Sequence, residues 1–197
     1  MGDITEKIWD QIMQPIIKYD SEPETRKHIA QVRKYMQKVI DRLKDKANQH
    51  DASKLYPPEK EIFDKFTQRL KTSTYGSDEY KIMLKEMEPA LEHHYEHNRH
   101  HPEHFKEYEC NGCFKMFDEQ PNNCDICGYS QFTIKNVGLS GMNLLDIIEM
   151  LCDWKAATLR HGDGDIRKSL DYNSTRFGFR ATVLHQILAN TIDDLGF

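Results

Sequence analysis

The chain has 197 residues, 38% hydrophobic and 30% charged, with a formal charge of -5, a pI near 6.1 and a mean hydropathy of -0.76. This length suits one domain with a small insert, and the composition is that of a soluble, helix-rich protein. No apolar run is long enough to span a bilayer, the acidic start lacks a signal core, and the negative charge gives no global pull toward nucleic acid or anionic membrane; the expected setting is cytoplasmic.

Residues 4–17 carry Ile4, Ile8, Trp9, Ile12, Met13, Ile16 and Ile17 at helical spacing. Ser21-Glu22-Pro23-Glu24 reads as a capping box, and Ile29, Val32, Met36, Val39, Ile40, Leu43 and Ala47 continue as one long helix ending at His50-Asp51. Tyr56-Pro57-Pro58 breaks the chain, and Ile62, Phe63, Phe66 and Leu70 mark the next amphipathic helix. After the Thr74-Tyr75-Gly76-Ser77 turn, a helix through Tyr80, Met83, Leu84 and Met87 is predicted to pass Pro89 and run on until Pro102 stops it. Residues 106–137 hold the expected short strands. Leu144, Leu145, Ile147, Ile148, Leu151, Trp154, Ala157 and Leu159 then mark a mostly buried helix, and Val183, Leu184, Ile187, Leu188 and Ile192 a terminal one.

Within residues 106–137, Cys110-Asn111-Gly112-Cys113 and Cys124-Asp125-Ile126-Cys127 form two Cys-x-x-Cys knuckles with ten residues between them. Two such turns let four thiolates close a tetrahedron around zinc, and a segment this short would draw its folding free energy mainly from the metal. A closed four-thiolate site has no open position, so this zinc is expected to be structural. Cys152, in an apolar helical stretch, is expected to be a buried free thiol.

Six of the ten histidines lie in residues 93–104, apart from His50-Asp51-Ala52-Ser53-Lys54. Neutral imidazole is the commonest metal ligand, and a His-Asp pair presents nitrogen and carboxylate oxygen together. Asp146, Glu149 and Asp153, at i, i+3 and i+7, share one face of an otherwise apolar helix, where unpartnered carboxylates would be costly. A metal beneath them removes that difficulty. Spacing alone does not choose among the cluster histidines, since His93 with His97, His94 with His97 and His94 with His101 are all in phase.

His50-Asp51-Ala52-Ser53-Lys54 resembles the His-Asp-x-Gly-Lys of the HD-GYP branch of the HD-domain metal-dependent phosphohydrolases. Glu149 to Ala157 is similar to the helix carrying that superfamily's last Asp. The chain also resembles an uncharacterised bacterial and phage family through His-Asp-x-Ser-Lys, His-His-Pro-Glu-His and Asp-Trp-Lys-Ala. The resemblance implies an all-α, HD-like bundle over residues 1–105 and 138–197, interrupted by the zinc-knuckle insert at 106–137. It implies one or two divalent ions (Mn, Fe, Co, Mg or Zn) on His50, Asp51, Asp153 and the pattern-matched His94 and His101, with His97 a further candidate. Asp51 and Lys54 would be catalytic, and Lys54, Lys155, Arg160, His161 and Arg176 would contact a phosphorylated substrate such as a nucleotide. His28, the counterpart of the superfamily's first histidine, lies about 33 Å from His50 along an unbroken helix and could not share its ion; either the helix bends sharply between Tyr35 and Ile40, where no breaker stands, or the histidine cluster supplies the missing ligand. The contrasting expectation is an inert scaffold whose knuckle binds a protein. Nucleic acid is disfavoured because Lys106, Lys115 and Lys135 are offset by Glu107, Glu109, Asp118, Glu119 and Asp125.

Overall fold

A computed structural model describes residues 20–73, 77–160 and 164–197; the segment at 4–17, residues 74–76 of the predicted turn, and His161 lie outside them. Among the described residues there are seven α-helices and three short strands, so the protein is mostly helical with one small sheet. None of these helices is long and apolar enough to cross a membrane. The chain divides into two units, Met1–Lys44 and Asp45–Phe197.

In the first unit, helix α1 (Glu22–Gln49) begins where Asp20 Oδ1 accepts from the Glu22 amide at 3.0 Å, so Asp20 supplies the cap expected from Ser21. Arg26 pairs with Glu22 and Lys27 with Glu24 along the helix surface. No residue of α1 is buried: Val32 is 40% and Met36 60% exposed. The apolar repeat predicts the helix correctly, whereas the burial it implies is not realised.

The second unit opens with the end of α1. Asp51 stops the helix in the left-handed region at φ 56, and a short 3-10 turn, Ala52–Leu55, follows. Next come α2 (Glu59–Thr72), α3 (Asp78–Glu86), whose Ser77 cap accepts from the Tyr80 amide, and α4 (Glu88–His97). The single helix expected from Tyr80 to Pro102 is therefore two, divided at Met87, because Pro89 fits only the first turn of a new helix. Moreover, α4 ends at His97. Asn98 leaves the helix, and its amide donates to the His94 carbonyl and to Ser53 Oγ, both at 2.8 Å. His100 and His101 consequently lie in a turn before the 3-10 segment Pro102–His104.

Two apolar clusters hold this unit. Leu151, Ile166, Leu170, Phe179, Leu188 and Ile192 join α5 (Leu144–Thr158), α6 (Ile166–Arg176) and α7 (Val183–Leu195). Phe66, Met83 and Met87, flanked by Ile62, Phe63, Leu70 and Leu91, join α2, α3 and α4. Each fully buried side chain of this kind contributes about 1.5–3 kcal/mol. The first cluster fixes α5, and the second fixes α2 and α4. Cys152 is exposed, contrary to the sequence expectation, because it follows the buried Leu151 by about 100° around the helix. Between α4 and α5, strands β1 (Lys106–Cys110), β2 (Met116–Phe117) and β3 (Phe132–Asn136) form an antiparallel sheet in the order β2-β1-β3, with Tyr108 opposite both Phe117 and Ile134.

Candidate metal centres

Two turns of the same build carry the four cysteines. In one, the Phe114 amide donates to the Cys110 carbonyl at 2.9 Å and the Cys110 amide to the Lys115 carbonyl at 2.9 Å. In the other, Gly128 donates to Cys124 at 2.8 Å and Cys124 to Tyr129 at 2.7 Å. The residue after each second cysteine, Phe114 at φ 61 and Gly128 at φ 72, is left-handed. These turns gather the sulfurs: Cys110 and Cys127 Sγ are 3.5 Å apart, as are Cys113 and Cys124, and all four lie within 4.8 Å of one another. A tetrahedral zinc with 2.3 Å bonds needs sulfurs about 3.8 Å apart. Burial raises the Cys124 thiol, but the amides of Cys127 and Ile126 outweigh it and bring it down to about 7, whereas at Cys127 the Tyr129 amide is outweighed by burial and the other three sulfurs, which push the thiol up to about 12, so one thiolate is favoured at the expense of its neighbours. None of the cysteines is in a disulfide. The four can hold a metal such as zinc.

The second cluster is assembled from the end of α1, α4, the turn after it, and α5. His94 Nε2 lies 2.9 Å from His101 Nε2 and 3.3 Å from Asp51 Oδ1, and His100 Nε2 lies 3.5 Å from that same oxygen. Four donor atoms thus face one another within 4.8 Å. Asp51 Oδ1 and His100 Nε2 are buried with no hydrogen-bond partner, and such orphaned polar atoms cost about 1–3 kcal/mol each. An ion bound at 2.0–2.1 Å would set tetrahedral edges of about 3.4 Å, so the donor set fits a divalent cation. The other oxygen of Asp51 faces a second group, with His50 Nε2 3.6 Å from Asp51 Oδ2 and 3.6 Å from Asp153 Oδ1. Asp51 can therefore offer one oxygen to each group.

The surrounding charges are strongly coupled. The Asp153 and Glu149 carboxylates raise His50 to about 10. Burial, with His100 and His94 alongside, lowers His101 to about 2. Burial opposes ionisation of Asp51, but His94, Lys54 and His50 hold it well below the usual carboxylate range. The same contest leaves Glu149 low, where His100 and His50 outweigh burial, and Asp153 low, where His50 does. Lys54 Nζ sits 2.6 Å from Asp51 Oδ2 and 5.1 Å from the Phe63 ring centre. Lys46 donates to Asp146 at 2.7 Å and to Glu149 Oε2 at 2.9 Å, while Arg99 donates to Asp146 at 3.2 Å. Asp146 also completes a capping box with Asn143, so its oxygens are engaged away from the cluster.

Of the sequence candidates, the structure brings together His50, Asp51, His94, His101 and Asp153, with Lys54 beside them. It does not bring His97. That ring is exposed, donates through Nδ1 to the His93 carbonyl at 2.7 Å and stacks on His93 at 4.0 Å, held by its own helix. His100, absent from the ligand set that the resemblance implies, is only 1% exposed and points Nε2 into the cluster. Its signal was its place in a His-His-Pro turn. Among the described residues, Lys155, Arg160 and Arg176 form no ion pair with the cluster's carboxylates, and Arg176 pairs with Glu103 instead. His28 is exposed on α1. Residues 18–195 match a family described as a family of unknown function (DUF5662). No curated protein and no solved structure matches the chain.

Proposed function

The chain belongs to the DUF5662 family, and we propose that it is a metal-dependent phosphohydrolase with an HD-like helical site, acting on a phosphate ester, with nucleotides the first class to test. One observation carries this reading. Asp51 turns both oxygens toward histidine-containing groups, and Asp51 Oδ1 and His100 Nε2 are buried facing donors with nothing to bind. The order His50-Asp51, His94, His100-His101, Asp153 along the chain supports the HD-like arrangement. His94, His100, His101 and Asp51 would hold one divalent ion, and His50, Asp51 and Asp153 a second. Three imidazoles and a carboxylate suit Zn, Fe, Co or Mn more than Mg. Such an ion lowers the pKa of a water and neutralises charge on phosphoryl oxygens.

Lys54 places a cation at the edge of the cluster, where a substrate phosphate would gather negative charge. Lys155, Arg160, His161 and Arg176 are candidates for more distant substrate groups. The four cysteines would hold structural zinc, since four thiolates leave no position for substrate. A second reading, an inert helical scaffold with a protein-binding knuckle, is favoured by the knuckle tips, where Phe114 is 72% and Ile126 69% exposed.

A panel of nucleotides and simple phosphate esters with Mn, Fe, Co, Mg or Zn decides between them. The proposal expects phosphate or nucleoside monophosphate release by the parent and none by Asp51→Ala. No turnover by either, with equal metal content in both, would leave the scaffold reading.

A further inference from the structure

Outside the donor atoms stand two carboxylates, each holding two imidazoles. Glu59, fully buried in the first turn of α2, accepts from His93 Nδ1 at 2.7 Å through one oxygen and from His94 Nδ1 at 2.9 Å through the other. Glu149 Oε1 accepts from His50 Nδ1 at 3.0 Å and faces His100 Nδ1 at 3.3 Å, while Oε2 takes the Lys46 ammonium. We infer that Glu59 and Glu149 are the positioning residues of the helical metal centre: by holding Nδ1 of His94, His50 and His100 they leave each Nε2 free, aiming those of His94 and His100 at the first ion and that of His50 at the second. The inference rests on the metal-binding reading above and adds which nitrogen of each ring binds.

A competing arrangement would seat an ion among His50, His100 and Glu149, whose donor atoms also lie within 4.8 Å of one another. One observation disfavours it. The orphaned atoms, Asp51 Oδ1 and His100 Nε2, lie at the other end of the His100 ring. His94 is fixed independently. With its Nδ1–H given to Glu59, the Asn98 amide near that nitrogen is left to donate to the His94 carbonyl and Ser53 Oγ, which it does. A carboxylate on the outer N–H of an imidazole fixes the ring's tautomer and orientation and raises the basicity of the opposite nitrogen.

Imidazole proton–nitrogen correlation spectra of zinc-loaded parent protein read the tautomers directly. The expected pattern is Nδ1–H with metal-shifted Nε2 for His50, His94 and His100. An Nε2–H on His50 and His100 would place the ion against Glu149 and overturn the inference. Titration with Co²⁺ after the cysteines are filled with zinc is the second arm: Glu59→Gln and Glu149→Gln should each weaken uptake ten- to hundred-fold and alter the visible Co²⁺ bands, with the cysteine site unchanged. Unchanged affinity and bands in both variants would also overturn it. If a variant does not fold by circular dichroism, the parent spectrum decides alone. A parent whose histidine signals do not move on loading removes the metal reading and this inference together; a parent that loads with the other tautomer removes only the inference.

Discussion

Asp51 combines a backbone constraint with a chemical one. Its left-handed backbone at φ 56 costs a non-glycine residue on the order of 1 kcal/mol, and its Oδ1 is buried without a partner. Asparagine tolerates the same backbone, so Asp51→Asn should keep the turn and the helix content while removing the charge. The expected outcome is a folded protein by circular dichroism that no longer takes up manganese at the helical site and shows no phosphate release above background. Parental manganese uptake by this variant would refute the role given to Asp51. His50, Asp51 and Asp153 were legible in the sequence because a His-Asp pair at a helix end and an acid on an apolar helix face are expensive unless used. His100 was not. Helical phasing alone predicts a helix as far as Pro102, whereas Asn98 ends α4 and the turn that follows folds His100 and His101 back onto His94. Glu59 left little trace beyond being an acid in the first turn after Pro57-Pro58.

Individual elements carry their own tests. α5 is fixed at its start by Asp146, which is fully buried, completes the capping box and pairs with Lys46 and Arg99. Asp146→Asn should cost about 1–3 kcal/mol, because it removes the charge from the bonds to Lys46 and Arg99 while Lys46 keeps Glu149. Burial opposes the Asp146 charge, but Lys46 and the Asn143 amide outweigh it and hold the carboxyl below its ordinary 3.8. A lowered carboxyl contributes stability that is full above its unfolded value and lost as pH falls through the folded one. The urea-melt difference between parent and variant should therefore be full at about pH 6 and smaller at about pH 3. An undiminished difference in acid would contradict this account of Asp146. In the knuckles, Phe114 adopts the left-handed backbone that Gly128 adopts in the matching turn. Phe114→Gly should tighten zinc retention against a chelator by an amount corresponding to about 1 kcal/mol, and weaker retention would show that the Phe114 side chain supports the turn. The cysteine spacing made these turns readable; the apolar repeat of α1 gave its helix but not the exposure of that face, since periodicity records which residues align and not what covers them.

At the scale of the whole chain, a mostly helical protein with a small cysteine-bearing sheet was legible from helical periodicity and knuckle spacing. The division near Lys44 was not, because it depends on tertiary contacts that local pattern does not encode; the break at Met87 has a local mark in Pro89, which fits the first turn of a new helix. The cysteine segment has a sheet of three short strands and little apolar burial, whereas α2 to α7 carry two apolar clusters. Chelation should thus open amide exchange in residues 106–136 while helical circular dichroism persists, and simultaneous loss of both would show that the helices depend on the cysteine metal. The central claim is that a divalent ion binds the helical cluster. Crystals grown with manganese and measured for anomalous scattering test it most directly. The account predicts an anomalous peak within about 2.0–2.3 Å of His94 Nε2, His100 Nε2, His101 Nε2 and Asp51 Oδ1. Well-ordered density for these side chains with no peak among them, in crystals whose four cysteines hold zinc, would contradict it.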